Sequence, residues 1–321
     1  MRASVRQQIR RLQRAILLLC IAFVAPVACA KAVDSCPVEK GVTLQILGSG
    51  GPIADDGRAS AGYLVWVDGE SKVMIDTGGG TFLRFGEAGA KFASLDFIGL
   101  SHFHTDHSAD LPALLKSGYF SDRQRSLIVA GPDASAPFPG LATYLDSMLA
   151  KPNGAYAYLS GYLDGTGGLP IIEPFEVEKD NSAAVIVFGE EDGEMQISAL
   201  HVPHGIVPAL AFRVRIGDAS IVFASDQNGD DPAFVEFAKN ATILVMHMPV
   251  PEGVSGAGRK LHAPPSVIGS IAQQAGVGTL VLSHLMARSL KNLDNHVEIV
   301  KANYDGRVIV ANDLDCITLK K

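Results

Sequence analysis

Residues 101–107 read Ser101-His102-Phe103-His104-Thr105-Asp106-His107. Three imidazoles and one carboxylate fall within six residues, although the whole chain of 321 residues has only nine histidines. Imidazole and carboxylate are good zinc ligands, and side chains two residues apart on an extended segment can converge on one ion. We therefore predict one metal ion at His102 and His104 and a second at Asp106 and His107. The alternative is a polar surface loop that is rich in histidine by chance.

The first thirty residues have the features of an export signal. Five arginines occur in residues 2–14 without any acid, and the apolar run Ala15 to Ala25 follows. Ala28-Cys29-Ala30 then fits a small-x-small cleavage site. The sequence therefore predicts a signal peptide over residues 1–30 that is cleaved near Ala30.

Cleavage would leave a periplasmic or secreted protein with one domain over residues 31–321. A lipoprotein anchored at Cys29 is less favoured, because Pro26 stands where a lipobox has leucine. No run of eighteen apolar residues occurs, so we expect no transmembrane helix in the mature chain.

The charge balance bears on the class of partner. The chain has 27 basic and 34 acidic residues, and removal of the five arginines in residues 1–30 leaves 22 against 34, a net charge of −12. Proteins that grip a nucleic-acid backbone need a basic surface. We therefore expect that nucleic acid is not a partner, although a local basic patch stays open.

Two cysteines remain near the ends of the mature chain, Cys36 and Cys316. In an oxidising compartment such a pair predicts a disulfide that ties the termini together. The alternative is two unpaired buried cysteines.

Strand and helix patterns alternate along the chain. Two successive β-rich halves with flanking helices predict an α+β fold, in which two sheets pack face to face with helices outside. Gly217-Asp218 marks a hairpin, and Asp231 is a candidate cap for a helix from Pro232. Lys151–Pro170 is rich in Gly and Tyr without periodicity, so we interpret it as a lid over the site, with a plain surface insertion as the alternative.

Four ligands cannot complete a two-metal site, so polar residues at later strand ends are the next candidates. His204, Asp226 and His284 each follow an apolar strand pattern. They would give one metal three histidines and allow Asp226 to bridge both ions. His201 competes with His204 for the ligand role.

With these residues assembled, the chain from about Val42 to Leu319 resembles the metallo-β-lactamase superfamily, and within it the ribonuclease Z-like and arylsulfatase-like branch. The residues that carry the resemblance are Gly48-Ser49-Gly50-Gly51-Pro52, Ile75-Asp76-Thr77-Gly78, His102-x-His104-x-Asp106-His107, His204, Asp226, His262 and Ser283-His284. The resemblance implies a four-layer αββα sandwich with a dinuclear zinc site at one edge, and it implies a homodimer.

The resemblance also implies roles for single residues. One zinc ion is bound by three histidines, His102, His104 and His204. The second is bound by one carboxylate and two histidines, Asp106, His107 and His284. Asp226 bridges the two ions, and Asp76 braces the metal loops without binding a metal.

The chain departs from ribonuclease Z in two places. His204 and Asp226 are only 22 positions apart, which leaves no room for the arm that grips tRNA in that family. Met248 in Val245-Met246-His247-Met248-Pro249 stands where the family has a glutamate paired to a helper histidine, and a thioether does not accept hydrogen bonds as a carboxylate does. That histidine corresponds to His262, which would assist at the scissile bond.

The sequence therefore predicts an exported dinuclear-zinc hydrolase that acts on a small phosphate or sulfate ester. Asp106 or, alternatively, Asp226 would orient the nucleophile, and His262 would stabilise charge or protonate the leaving oxygen. The alternatives are a lactonase or thioester hydrolase, a ribonuclease Z-like nuclease, and a metal-binding protein without catalysis. Zinc is the default metal, and iron or manganese are the alternatives for such ligands.

Overall fold

Two seven-stranded sheets form the centre of the structure, a computed structural model that describes residues 36, 40–179 and 183–319. The strands of the first sheet are β1 (Val42–Gly48), β2 (Gly62–Val67), β3 (Glu70–Ile75), β4 (Phe97–Gly99), β5 (Leu127–Pro132), β6 (Ile172–Val177) and β14 (Cys316–Thr318). The strands of the second sheet are β7 (Val185–Phe188), β8 (Met195–His204), β9 (Val207–Ile216), β10 (Ala219–Phe223), β11 (Ile243–His247), β12 (Thr279–Ser283) and β13 (Arg307–Val310).

Each sheet combines an antiparallel half with a parallel half. The first has the order β14-β1-β2-β3-β4-β5-β6 and is parallel from β3 to β6. The second has the order β13-β12-β11-β10-β9-β8-β7 and is parallel from β10 to β13. Because parallel strands end at the same edge of a sheet, the loops after β3 and β4 come together, and so do those after β10, β11 and β12.

Helices cover the outer faces of both sheets. In the described part of the chain they are α1 (Thr81–Glu87), α2 (Thr105–Ser108), α3 (Leu111–Gly118), α4 (Leu141–Leu149), α5 (Gly161–Asp164), α6 (Pro232–Phe237), α7 (Gly256–Leu261), α8 (Pro265–Ala275), α9 (Ala287–Leu290) and α10 (Leu293–Ala302). Short 3₁₀ turns lie at Phe92–Ser94, Ala157–Leu159 and Thr166–Gly168.

The alternation of side chains along the strands divides the apolar residues between three cores. On β2, Tyr63 and Val65 face the core between the sheets, whereas Leu64 and Trp66 face the helices. The two sheets meet through aromatic contacts such as Tyr63 with Phe223, whose ring centroids are 5.3 Å apart. This arrangement confirms the predicted αββα sandwich.

Local turn and cap chemistry also agrees with the sequence. The hairpin at Gly217-Asp218 joins β9 to β10, with Ile216 paired to Ala219. The side chain of Asp231 accepts a hydrogen bond from the backbone N–H of Ala233 at 2.9 Å and so caps α6.

Cys36 and Cys316 form a disulfide with a Cα–Cα distance of 5.7 Å, as the cysteine positions predicted. The bond ties residue 36 to β14. The described residues from Cys36 onward form one compact unit. No helix in the described ranges is long and apolar enough to span a bilayer. The predicted signal peptide, with Cys29 and the cleavage site at Ala30, lies outside the described residues.

The segment predicted as a lid, Lys151–Pro170, consists of short helical turns packed against the outer helices. The hydroxyl of Tyr162 donates to the backbone oxygen of Leu115 in α3 at 2.7 Å. Ile172 after the segment pairs with Leu127, the first residue of β5, so the segment rejoins the sheet where β5 begins. The segment therefore packs against the outer layer of helices. That it acts as a lid over the site stays a prediction.

Candidate metal centre

The histidine motif follows β4 directly. Leu100 still bonds to Ala130 of β5, and the chain then turns so that His102 and His104 precede α2. Nε2 of His102 and Nδ1 of His104 are 3.0 Å apart. Asp106 lies in the first turn of α2 beside His107, and both side chains are buried.

The loop after β3 packs against the backbone of this short helix. The N–H of Thr77 donates to the backbone oxygen of His107 at 2.8 Å. A Cβ atom on Gly78 would lie 2.1 Å from the backbone oxygen of Asp106. Only a residue without a side chain allows the loop to approach so closely, and this contact places α2 over the ends of the strands.

The second sheet contributes His204 at the end of β8, Asp226 after β10 and His284 after β12. Ser225 and His284 have φ angles of 59° and 53°, in the left-handed region that costs energy for residues other than glycine. Such backbone conformations are concentrated at functional sites. Here they turn Asp226 and His284 toward the motif on the first sheet.

The structure thus brings together all seven residues predicted as ligands. One group consists of His102, His104 and His204, whose nitrogen atoms lie within 4.8 Å of one another. On the other side, Nε2 of His284 is 3.2 Å from Nε2 of His107 and 3.1 Å from Oδ2 of Asp106. Asp226 lies between the two groups, with its Oδ2 atom 3.6 Å from Nε2 of His107 and 3.8 Å from Nε2 of His204.

His201, the competing candidate, lies outside these groups. Its Nε2 atom is 3.0 Å from the backbone oxygen of Val177. His204, three residues later, belongs to the cluster.

His204 provides a direct test of whether these residues fit a metal ion. Its Nδ1 atom is 3.0 Å from the backbone oxygen of Leu261. A carbonyl only accepts hydrogen bonds, so Nδ1 carries the proton and Nε2 presents a lone pair. That Nε2 atom is buried and has no hydrogen-bond partner among the described residues. A buried lone pair without a donor is costly unless it binds a cation, so the site fits a metal.

The charges around the cluster support the same conclusion. Burial alone would raise the pKa of Asp226, but the charge of His284 and the hydrogen bond with His107 hold it well below its usual value. Burial opposes the charged form of His107, yet Asp76 and Asp226 raise the pKa of His107 well above normal. The buried carboxylates therefore attract positive charge, and metal binding would displace the proton of His107.

Asp76 occupies the predicted bracing position. Its Oδ1 atom accepts the backbone N–H of Ser101 at 2.7 Å, and its Oδ2 atom accepts the hydroxyl of Ser101 at 2.9 Å. Oδ2 also lies 2.7 Å from Nδ1 of His107. These contacts leave Nε2 of His107 facing the cluster.

His262 follows α7, and the backbone N–H of the next residue, Ala263, donates to the backbone oxygen of Gln227 at 2.8 Å. The Nδ1 atom of His262 lies 3.8 Å from Oδ1 of Asp226 and has no hydrogen-bond partner among the described residues. Burial lowers the pKa of His262 to about 3, although Asp226 opposes the shift. The imidazole is therefore neutral and lies beside the predicted ligands.

His247 is the site residue that the sequence analysis did not assign. It ends β11, and its Nδ1 atom is 2.7 Å from Oδ1 of Asp226. It shares the strand edge with Asp226 and His284, because β11 lies between β10 and β12 in the parallel half of the sheet. The available signal was a histidine at the end of an apolar strand, the same signal that identified His284.

Comparisons with known proteins agree with this architecture. A family model described as "Beta-lactamase superfamily domain" matches residues 71–285. Ribonuclease Z from Mycobacterium marinum is 27% identical over 285 residues, which cover 85% of this chain and 97% of that relative.

Two solved structures share the fold. The short form of human tRNase Z has a TM-score of 0.66 at 18% identity and covers 87% of this chain and 100% of its own. The metallo-beta-lactamase fold protein YhfI from Bacillus subtilis has a TM-score of 0.65 at 22% identity and covers 86% of this chain and 98% of its own.

These comparisons correct two expectations from the sequence. A small phosphate- or sulfate-ester substrate was expected, and nucleic acid was expected not to be a partner. Both expectations are wrong, because the relatives are named ribonuclease Z and are matched over 97% and 84% of their length. The error lay in the weight given to the missing arm and to the net charge, since a charge summed over the whole chain does not report the local potential at a site.

Proposed function

This chain belongs to the beta-lactamase superfamily, as a metal-dependent hydrolase with the metallo-β-lactamase fold, and we propose that it hydrolyses phosphodiester bonds of RNA. One observation carries the proposal. A converging set of histidine and aspartate ligands occurs in a chain that matches ribonuclease Z along 97% of the length of the relative from M. marinum. That relative's name gives RNA as the substrate class.

The proposed centre holds two divalent ions, with zinc as the default. One ion would be held by His102, His104 and His204. The other would be held by Asp106, His107 and His284. Asp226 would contact both. Divalent ions held in this way polarise the oxygens of a phosphodiester and make hydroxide available near neutral pH.

Asp106 supplies a carboxylate that stays ionised. Burial would raise its pKa, but the hydrogen bond from His284 and the charge of His107 lower the pKa of Asp106 to about 2. It can therefore only accept hydrogen bonds at neutral pH. We propose that it orients the attacking water as well as binding metal.

His262 would act on the other side of the scissile bond. Because its pKa lies near 3, it is neutral before substrate binds and offers an N–H group rather than a positive charge. A hydrogen bond from that group would stabilise negative charge that develops on a phosphate or leaving oxygen.

We further propose that the protein works outside the cytoplasm, in the periplasm or after secretion. The Cys36–Cys316 disulfide supports this, because disulfides are stable in oxidising compartments and rare in the cytosol. The mass of the exported protein tests it: cleavage after Ala30 gives a chain that begins at Lys31. A protein found only in the cytoplasmic fraction, with Met1 retained, would contradict the proposal.

The substrate proposal is tested with exported protein of measured metal content. The substrates are a transfer RNA precursor, an unstructured RNA and a DNA of the same sequence. We expect cleavage of RNA by the wild type, and loss of more than about 100-fold in the His204→Ala variant, since even the partners of metal ligands contribute about 10–100-fold.

The matched control is His201→Ala, which alters a histidine of the same strand that bonds to Val177 instead of facing the cluster. This variant should cleave RNA as the wild type does. Metal-loaded wild type that cleaves neither RNA would contradict the proposal.

A further inference from the structure

A row of buried polar groups runs from the proposed metal centre into the core between the sheets. Oδ1 of Asp226 is 2.7 Å from Nδ1 of His247. Nε2 of His247 is 2.8 Å from the hydroxyl of Tyr63, which in turn lies 3.0 Å from Oγ of Ser283. All four side chains are buried. Polar groups are expensive in such surroundings, so a complete row of partners indicates a role beyond packing.

The row fixes the orientation of one carboxylate. Oδ2 of Asp226 faces His107 and His204, at 3.6 and 3.8 Å from their Nε2 atoms. Oδ1 is the oxygen bonded to His247. Because the carboxylate only accepts hydrogen bonds, His247 must carry its proton on Nδ1. Rotation of the Asp226 carboxylate would break this bond.

Tyr63 fixes His247 in its turn. Tyr63 lies on β2 of the first sheet, whereas His247 ends β11 of the second, so their contact joins the two halves of the molecule. The phenol ring is held in the core by Phe223 at a centroid distance of 5.3 Å. The imidazole cannot turn about its own axis without losing a bond at one nitrogen or the other.

We infer that His247 and Tyr63 are positioning residues that hold Asp226 in the orientation needed to contact both metal ions. This inference rests on the proposed two-metal centre. His247 lies within 4.8 Å of His107, Asp226 and His284 and could itself be regarded as a ligand. Its two nitrogens, however, are already bonded to Asp226 and Tyr63, so it acts through the carboxylate.

Three substitutions separate the contributions. His247→Phe keeps a ring but removes both nitrogens. His247→Asn keeps an N–H donor near the position of Nδ1. Tyr63→Phe removes only the hydroxyl. The readouts are zinc affinity from chelator competition, metal equivalents by mass spectrometry and the visible spectrum of the cobalt-substituted protein.

We expect His247→Phe to weaken the binding of at least one zinc equivalent by about 10–100-fold, the usual effect of losing a partner of a metal ligand. Tyr63→Phe should weaken zinc binding less than His247→Phe does. His247→Asn should recover most of the zinc affinity. The cobalt spectrum should change in His247→Phe and return toward the wild type in His247→Asn. His296→Asn is the matched control, because His296 is a buried histidine bonded to the backbone oxygen of Ser289 at 2.9 Å.

The free energy of unfolding of the metal-free variants shows whether a substitution damages the fold. A positioning residue should change zinc affinity without a matching loss of metal-free stability. Should His247→Phe not fold, Tyr63→Phe carries the test alone. Wild-type affinity in both His247→Phe and Tyr63→Phe would overturn the inference, and so would an asparagine variant no better than the phenylalanine variant. A wild type that binds fewer than two equivalents would instead overturn the proposed centre itself.

Discussion

Oδ2 of Asp76 lies 2.7 Å from Nδ1 of His107, and both side chains are buried. Asp76 follows β3 and has a φ angle of 58°, so a strained residue at a strand end reaches the helix that carries the histidine motif. The bond leaves Nε2 of His107 directed at His284, 3.2 Å away. Asp76 therefore determines which nitrogen of His107 is available to a metal, although Asp76 is not one of the proposed ligands.

Replacement of Asp76 by asparagine should weaken zinc binding by about 10–100-fold, because one of the two oxygens that accept from Ser101 and His107 is lost. Chelator competition measures the effect. Asp68→Asn is the control, since the exposed carboxylate of Asp68 bonds only to a turn N–H at Gly41 among the described residues. Equal affinity of the Asp76 variant and the wild type would show that the brace is dispensable.

Removal of the metal should lower stability. The centre buries three carboxylates, Asp76, Asp106 and Asp226, and leaves the lone pair of His204 without a donor. A ligand at 100 times its Kd stabilises the native state by about 2.7 kcal/mol. Thermal unfolding with a chelator, and again after zinc is restored, should show a reversible fall in Tm. An unchanged Tm would contradict the proposed centre.

The convergence of the seven proposed ligands could be predicted from the sequence for a simple physical reason. His102 and His107 lie within one local motif, and His204, Asp226 and His284 each follow an apolar strand, so local patterns report them. The contact between Tyr63 and His247 could not be predicted in this way. Those residues are 184 positions apart, and only the packing of one sheet on the other brings them together.

The edge strand β6 shows the same limit of local sequence patterns. Its sequence includes Glu173, Pro174 and Glu176 and has no apolar alternation, so the period-two rule for strands does not identify it. It lies at the edge of its sheet, where proline is tolerated.

Gly78→Ala should destabilise the protein by about 1–3 kcal/mol, the usual range for overpacking. Its Cβ atom would approach the backbone oxygens of Asp106 and Ala61 to 2.1 and 2.7 Å, and neither can move freely. Gly86→Ala in α1 is the matched control, because a Cβ atom there meets no described atom within 4 Å. The free energy of unfolding of the Gly86→Ala control should be unchanged or higher by about 0.5–1 kcal/mol, since glycine is unfavourable inside a helix. Denaturant unfolding of both variants measures the difference, and equal effects would argue against a close approach at Gly78.

The Cys36–Cys316 disulfide should stabilise the native state by about 2–4 kcal/mol, the typical range for a disulfide, since it restricts the unfolded chain by joining residues 280 positions apart. Intact mass before and after reduction with alkylation detects the bond. Cys36→Ser should unfold at lower denaturant concentration than the wild type, and reduction should have no further effect on it. Two free thiols in the native exported protein would contradict the bond.

His262→Ala should separate catalysis from metal binding. The side chain lies 3.8 Å from Asp226, and its Nδ1 atom has no partner among the described residues, so its loss should leave the seven ligands in place. We expect two zinc equivalents as in the wild type, together with a fall in kcat for RNA cleavage of about 10²–10³-fold, the usual effect of removing one donor to a developing charge. Metal analysis and single-turnover cleavage measure the two quantities on the same sample. If zinc is lost with activity, His262 is a ligand, and the role of a hydrogen-bond donor at the scissile bond must be abandoned.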